Sequence, residues 1–279
     1  MLTTEIAPTH GEGPGSAGRT LVGLLERVLE RAAGQGVTVG AIGVGVPGTV
    51  DPVTGVVGES HHTAELTGQH LGRTLGARFG VPAFADNDVN ALALSEWMFG
   101  LGRGARSLVV LAAGTGIGAG IVLDGRLVRG ASGYAGEFGH APVRFDGRPC
   151  WCGGRGCLSV YASGRGIAEA AGGRAAAQVF RAAAEGDRAA AALVDEACDA
   201  LGAMLATIVN GLDPDVLVVT GGVAAAYAAR EGSVLKATAR HALAPALART
   251  RIVFVPGDKG TTVRGAAALA FYETEAPAP

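Results

Sequence analysis

Apolar positions recur at intervals of three and four over Leu21, Leu25, Val28, Leu29 and Ala32, which predicts a helix with one buried face. A short apolar run, Ala41 to Val46, follows and stops at Pro47-Gly48, the pattern of a strand entering a turn. From Val53 to Gln69 the chain mixes Thr, Gly and the adjacent His61 and His62, and is expected to be surface loop around short strands. A helix is expected near Leu71 to Phe79, a strand from Pro82 to Ala85, and a helix over Val89 to Phe99. Ser107 to Ala113 and Gly118 to Leu123 pattern as two strands around a glycine turn. Asp124-Gly125 then signals a tight turn into Arg126 to Val128. A long loop from Arg129 to Gly156 precedes helical segments at Leu158 to Ala171, Ala175 to Ala184 and Ala189 to Asn210. Strands at Asp215 to Thr220 and Ile252 to Val255 and a closing helix, Thr262 to Tyr272, complete the pattern.

Strands alternating with helices predict an α/β protein whose sheets are covered by helices. No internal repeat with a period of 20 to 50 residues accompanies them. Residues 1–19 carry Pro, Gly, Ser and Thr without periodicity and are expected to be a loose lead-in. The texture changes to Gly and Arg at Gly100 to Gly104, which suggests a lobe boundary. The expected organisation is a partial N-terminal lobe over 20–102, a second lobe over 103–262, and a closing helix and tail over 263–279.

Composition narrows the function classes. Glycine, at 46 of 279 residues, is about twice its usual share, yet no Gly-X-Y period exists, so many tight turns and close backbone approaches are expected rather than collagen. Lysine and arginine number 23 against 25 acidic residues, with no basic block, so this chain carries no nucleic-acid footprint. No apolar run reaches 18 residues and no signal-peptide pattern opens the chain. A cytoplasmic protein that binds no membrane is therefore expected.

Three of the four cysteines crowd together. His140, Cys150, Cys152 and Cys157 give H-x9-C-x-C-x4-C within one Gly-rich loop, a donor set suited to a closed tetrahedral zinc site. The bland alternative is three reduced surface thiols beside a chance histidine. Cys198 falls within a helical pattern between Leu193 and Leu201 and is expected in the core.

Asp86, Asn87 and Asp88 stand where a strand ends and a helix begins. One such residue is needed as a helix cap, but three exceed that need. Gly114-Thr115-Gly116-Ile117-Gly118 joins two strands, so it is neither a Walker loop nor a Rossmann turn, both of which lead into a helix. Its N–H groups could still form an anion nest, and the alternative is a plain hairpin turn. Gly221-Gly222 follows a strand and precedes an Ala-rich helical stretch, the place of a tight strand-to-helix turn.

GEFGH at Gly136 to His140 and CWCGGRGCL at Cys150 to Leu158 resemble the signature of the ROK family of repressors, open reading frames and kinases. So do GVGVPGTVDPVTGVV at Gly43 to Val57, DNDVNALALSEW at Asp86 to Trp97, GTGIGAGIVLDGRLVRGASG at Gly114 to Gly133, NGLDPDVLVVTGGV at Asn210 to Val223, and GAAALA at Gly265 to Ala270. The resemblance runs from about residue 20 to 272. It implies a two-lobed, actin-like ATPase fold related to ribonuclease H, with the N-terminal lobe truncated. Members are ATP-dependent hexose kinases or sugar-sensing transcription regulators.

Carried over residue by residue, the resemblance makes Asp88 the base that accepts the sugar hydroxyl proton. Gly48, Asn87, Glu137 and His140 join it in holding the sugar. Gly114, Thr115, Gly116, Gly221 and Gly222 fall to the nucleotide. Zinc on His140 and the three cysteines is then a scaffold, ATP and Mg2+ are the kinase's reagents, and a homodimer is the family habit. Two departures stand out. Such kinases open with a strand-turn-strand carrying an Asp-x-Gly-x-Thr phosphate loop, and no match to it is expected in this chain; the equivalent stretch would lie before residue 1. Ser159 also occupies a position where a glutamate is usual. The expectation is a sugar kinase, poorly active as it stands; the alternatives are a sugar-sensing effector domain or an inactive, zinc-stabilised remnant.

Overall fold

The structure is a computed structural model that describes residues 3–9, 15–60 and 63–275; His61 and His62 lie outside them. Helix α1 (Ser16–Gly34) begins before its apolar stripe does. The reason is a cap supplied from far along the chain. The N–H of Gly15 donates to Glu65 at 2.8 Å and that of Ala17 donates to the same carboxylate. These bonds, that of Ala17 first, hold the Glu65 carboxyl below its usual range. An acidic group at a helix N-terminus also meets the positive end of the helix dipole.

Strand β1 (Ile42–Val46) runs parallel to β2 (Ala83–Asn87), and α2 (Leu71–Phe79) connects them. Strand β2 passes directly into α3 (Asp88–Phe99). Then come β3 (Leu108–Ala113), β4 (Ile117–Leu123) and β5 (Arg126–Leu127), with β4 antiparallel to both β3 and β5. Asp124 and Gly125, with φ of 48° and 76°, make the two-residue turn whose twist suits a hairpin.

After the long loop, one expected helix is two: α4 (Ser159–Ala162) and α5 (Gly164–Ala170). Ser163 between them is extended, and its hydroxyl accepts the Gly166 N–H at 3.0 Å, so the break is a cap. Helices α6 (Ala176–Ala184) and α7 (Arg188–Leu212) follow, then β6 (Val216–Thr220) and the short α8 (Ala224–Ala228). Helices α9 (Glu231–Ala239) and α10 (Ala244–Leu247) were not legible in the pattern, because α9 buries only Val234, Ala237 and Thr238 and α10 is a single turn. Alpha-helix α9 instead fits by closeness: a Cβ at Gly202 of α7 would lie 2.4 Å from that of Ala237. Strand β7 (Arg251–Phe254) and α11 (Lys259–Glu275) end the described chain.

The chain divides into two units. The first comprises 1–95, 129–134 and 262–279, and the second 96–128 and 135–261. The division thus falls inside α3. The Gly- and Arg-rich stretch 100–104 folds back within the second unit, where the Leu101 N–H donates to the Glu96 carboxylate at 2.9 Å.

The second unit is built on a five-stranded sheet, β5-β4-β3-β6-β7, with β6 parallel to both β3 and β7. Strands β3 and β6 are buried nearly throughout, as their unbroken apolar runs require. Val109, Leu111 and Val219 share one core with Ala197, Leu201 and Leu205 of α7 and Cys198 among them.

In the first unit the two faces of β1 do different jobs. Ile42, Val44 and Val46 pack with Leu66, Leu71 and Leu75. The opposite face carries Gly43 and Gly45. A Cβ at Gly43 would lie 1.7 Å from the Ala266 carbonyl oxygen of α11, and one at Gly45 would lie 3.2 Å from the Asp88 Cα of α3. Glycine is required here because two helices rest directly on the strand's backbone. Gly43→Ala is therefore expected to lower unfolding free energy by at least about 1–3 kcal/mol, the cost of overpacking. Gly40→Ala, where a Cβ would meet nothing within 4 Å, serves as control and should stay within about 0.5 kcal/mol of the parent. Urea unfolding of both variants checks the pair; equal midpoints would remove the packing argument.

Candidate active site and metal centre

Strands β1 and β2 end side by side, Val46 opposite Asn87. Beyond β1, Gly48 takes φ of 129°, a conformation open only to glycine, and a Cβ there would also strike Glu59 O and Ser60 Cβ at 2.9 Å. The Asn87 amide spans the two strand ends. Its Nδ2 donates to the Gly48 carbonyl at 2.9 Å, while its Oδ1 accepts the N–H of Val89 at 2.9 Å and of Asn90 at 3.2 Å. Asn87 is thus the cap of α3, with one amide hydrogen left for another acceptor. Asp88, half-buried, opens α3 against the backbone of Gly45.

Asp86 has another task than capping. It is 2% exposed. Its Oδ1 accepts the Asn87 N–H at 2.7 Å and the Asn90 side-chain amide at 2.9 Å, and its Oδ2 takes Arg129 Nε at 2.6 Å. Arg129 also pairs with Glu273 of α11, and its guanidinium lies 5.9 Å from the Tyr272 ring centre. One buried carboxylate therefore joins β2, the segment 129–134 and α11. No local pattern announced Arg129, whose partners lie 43 and 144 residues away.

In the second unit, residues 136–140 lie on β4. The Ala119 N–H donates to Gly136 O at 2.9 Å, and a Cβ at Gly136 or Gly139 would come within 1.9 Å of a β4 carbonyl oxygen. Glu137, Phe138, Gly139 and His140 form a tight turn ending in a single turn of 3-10 helix, Phe138–His140. Surrounding protein lifts the Glu137 carboxyl above its ordinary range, and His140 partly offsets this, although the residue as a whole stays exposed.

The four expected metal donors come together. Their ligand atoms all lie within 4.8 Å of one another, with Cys150 Sγ 3.6 Å from His140 Nδ1 and Cys152 Sγ 3.7 Å from Cys157 Sγ. Donors bonded to a tetrahedral zinc-sized ion stand about 3.3–3.8 Å apart, so the set fits a metal ion. Burial, then the neighbouring Cys150 and Cys152, pushes the Cys157 thiol up to about 12. Burial raises Cys150 too, whereas the Gly154 N–H draws exposed Cys152 down. Three sulfurs so crowded are costly as thiolates unless a cation shares the space. Short bridges shape the loop, Pro142 with Cys157 and Pro149 with Arg155, and the Leu158 N–H donates to Ala141 O at 3.0 Å. Ser159 is buried at 1% exposure, and a Cβ at Gly139 would lie 2.7 Å from its hydroxyl.

The glycine turns gather at one edge of the sheet. Gly114, Thr115 and Gly116 join β3 to β4, with the Gly114 N–H donating to Gly116 O at 2.9 Å. Gly221 and Gly222 follow β6, next to β3 and parallel to it; a Cβ at Gly221 would lie 2.5 Å from Ala113 O. Both turns thus stand at the carboxyl ends of parallel strands, where open α/β sheets bind ligands. Contrary to expectation, an Asp-x-Gly-x-Thr string does occur, at Asp258 to Thr262, but it leads into α11 and not between two strands: Asp258 accepts the Thr261 N–H at 3.0 Å. Among the described residues no helix is long and apolar enough to cross a membrane.

Comparison with known proteins agrees with this architecture. The model of the ROK family matches residues 14–273. A glucokinase of Thermotoga maritima is 34% identical over 222 residues, spanning 73% of this chain and 69% of the relative. A xylose repressor of Caldicellulosiruptor bescii is 31% identical, over 72% of this chain and 55% of the repressor. The crystal structure of a ROK hexokinase from Thermus thermophilus superimposes with a TM-score of 0.84 at 33% identity, covering 96% of this chain and 90% of that one.

Because Asp86 is the charge partner of Arg129, its replacement is expected to be felt in stability. Asp86→Asn should lower unfolding free energy by about 1–3 kcal/mol, the cost of leaving a charged partner unsatisfied. Chemical denaturation measures it. An unchanged midpoint would return Asp86 to the rank of an ordinary helix-start residue.

Proposed function

The chain belongs to the ROK family, and from that premise we propose that it is a sugar kinase that transfers the γ-phosphoryl group of ATP to a hexose hydroxyl. The observation that carries this reading is the Asn87 clamp. By tying the Gly48 turn to the start of α3, it sets a carboxylate, Asp88, at the joint end of β1 and β2. A fixed carboxylate can accept a hydroxyl proton as that oxygen attacks phosphorus.

In this reading Asp88 is the general base. The spare Asn87 N–H and the Gly48 turn hold sugar hydroxyls, and the family resemblance gives Glu137 and His140 the same kind of role. Gly114, Thr115, Gly116, Gly221 and Gly222 receive the nucleotide, whose phosphates arrive with Mg2+. His140, Cys150, Cys152 and Cys157 would hold a structural zinc ion, which supplies rigidity to the loop bearing Glu137 and His140. A cytoplasmic homodimer is the form proposed.

A second reading is a sugar-sensing effector domain, as the likeness to a xylose repressor suggests. Ser159 bears on both readings alike: a hydroxyl cannot act as the charged acceptor that a glutamate would be, so hexose affinity should be lower or retuned in either.

Two measurements test the proposal. Elemental analysis should find one zinc per chain, and Cys157→Ser should lower both the metal content and the melting temperature. A metal-free parent with freely titratable thiols would sink the zinc assignment. In a coupled assay with ATP, magnesium and a hexose panel, Asp88→Asn should reduce kcat by about 100- to 10,000-fold while calorimetric sugar affinity changes far less. Hexose binding by the parent without phosphate transfer would favour the sensor instead.

A further inference from the structure

Trp151 stands between two candidate metal ligands, Cys150 and Cys152, and its ring is engaged twice. The His140 ring meets it edge to face, with centroids 6.4 Å apart and planes at 87°. The Arg165 guanidinium lies over it, 4.3 Å from the centroid. Arg165 is the second residue of α5, and its Nε donates to Glu169 one turn on, at 2.7 Å, which orients the guanidinium.

The main chain of the same residue reaches elsewhere. The Arg165 N–H donates to the Thr115 carbonyl at 3.1 Å, and the Gly164 N–H donates to the Gly114 carbonyl at 2.8 Å. Gly164 is held tightly: a Cβ there would lie 3.1 Å from Gly114 O and 3.3 Å from Val223 Cγ2, just past Gly221-Gly222. Side chain on the metal loop and main chain on the glycine turn, Arg165 touches both.

The direction of these bonds matters. In a trans peptide the C=O and the following N–H point in opposite directions, and no cis bond occurs among the described residues. Tying the carbonyls of Gly114 and Thr115 to α5 therefore turns the N–H groups of Thr115 and Gly116 away from it, side by side. Adjacent N–H groups held that way form a nest for an anion. The first amides of α5 are spent on the turn; they set its geometry instead of meeting phosphate.

We propose that Arg165 is a positioning residue for this turn, and that its stack on Trp151 passes the rigidity of the metal loop to the phosphate-binding N–H groups. The proposal rests on reading Gly114 to Gly116 as a nucleotide turn. It makes nucleotide affinity depend on the metal, although the metal meets no phosphate. Loss of the ion frees Trp151, Arg165 loses its platform, and the two carbonyls are no longer held.

The test uses the full chain, loaded with zinc, and reads two quantities. The first is the equilibrium binding of N-methylanthraniloyl-ATP by fluorescence. The second is amide hydrogen exchange, without nucleotide, at Gly114, Gly164 and Arg165. Arg165→Ala and Trp151→Ala should each weaken the analogue by about three- to tenfold, within the range of a cation held over an indole. The double variant should lose no more than either single one, as coupled partners do. Arg165→Lys and Trp151→Phe keep a cation over a ring and should restore most of the affinity. Arg165→Gln, close to Arg in length and polarity, repeats the loss if the alanine variant folds poorly. Chelating the metal should reproduce the loss in the parent and add nothing in Arg165→Ala. Exchange at the three amides should quicken in step. Additive losses, or unchanged exchange in both alanine variants, would overturn the proposal. A parent that binds no nucleotide, yet shows the exchange response, would remove the nucleotide reading and leave the positioning link standing.

Discussion

The candidate chemistry of the second unit depends on one close approach, the laying of residues 136–140 onto strand β4. Gly136 and Gly139 meet that strand with no room for a Cβ. Glu137 and His140 are the side chains this contact presents, and His140 is also where the cysteine loop is joined to the sheet. A methyl group at either glycine would displace the backbone, and the carboxylate, the imidazole and the metal donors would move with it. The same device recurs in the first unit, where Gly43 and Gly45 let α11 and α3 rest on β1. Much of the chain's glycine serves contact between backbones, and the turns account for only part of it.

Periodicity was enough to recover the α/β order, because β3, β6 and α7 are buried along nearly their whole length and their apolar runs follow from it. The cysteine loop was legible for another reason. Its donors are close in sequence, so spacing alone brings them near, and the fold needs only to close one loop.

Long-range pairing leaves no local pattern. Glu65 caps a helix that begins some fifty residues earlier, and Arg129 finds its acid partners across the whole chain. The run Asp86-Asn87-Asp88 shows how little a local pattern can apportion. Its three similar residues divide into a buried ion-pair partner, a helix cap and a carboxylate at the helix mouth. The division is set by Arg129 and by the Gly48 turn. Helices α9 and α10 are illegible for the opposite reason: one buries too few residues, and the other is too short, to leave a periodic signal.

The first unit is assembled from three separate stretches of chain, the last of them beyond residue 261. During synthesis, the second unit's residues have all been made before that last stretch emerges. Domains made early on the ribosome can fold as units, so the second unit can close while the first still waits. The face of β1 that α11 covers stays bare throughout that interval. An open strand surface of that kind is what chaperones bind and what aggregates begin from. The interval lengthens when translation is slow over the stretch that encodes α11. The yield of folded protein should then depend on those codons, far from every residue assigned to the site.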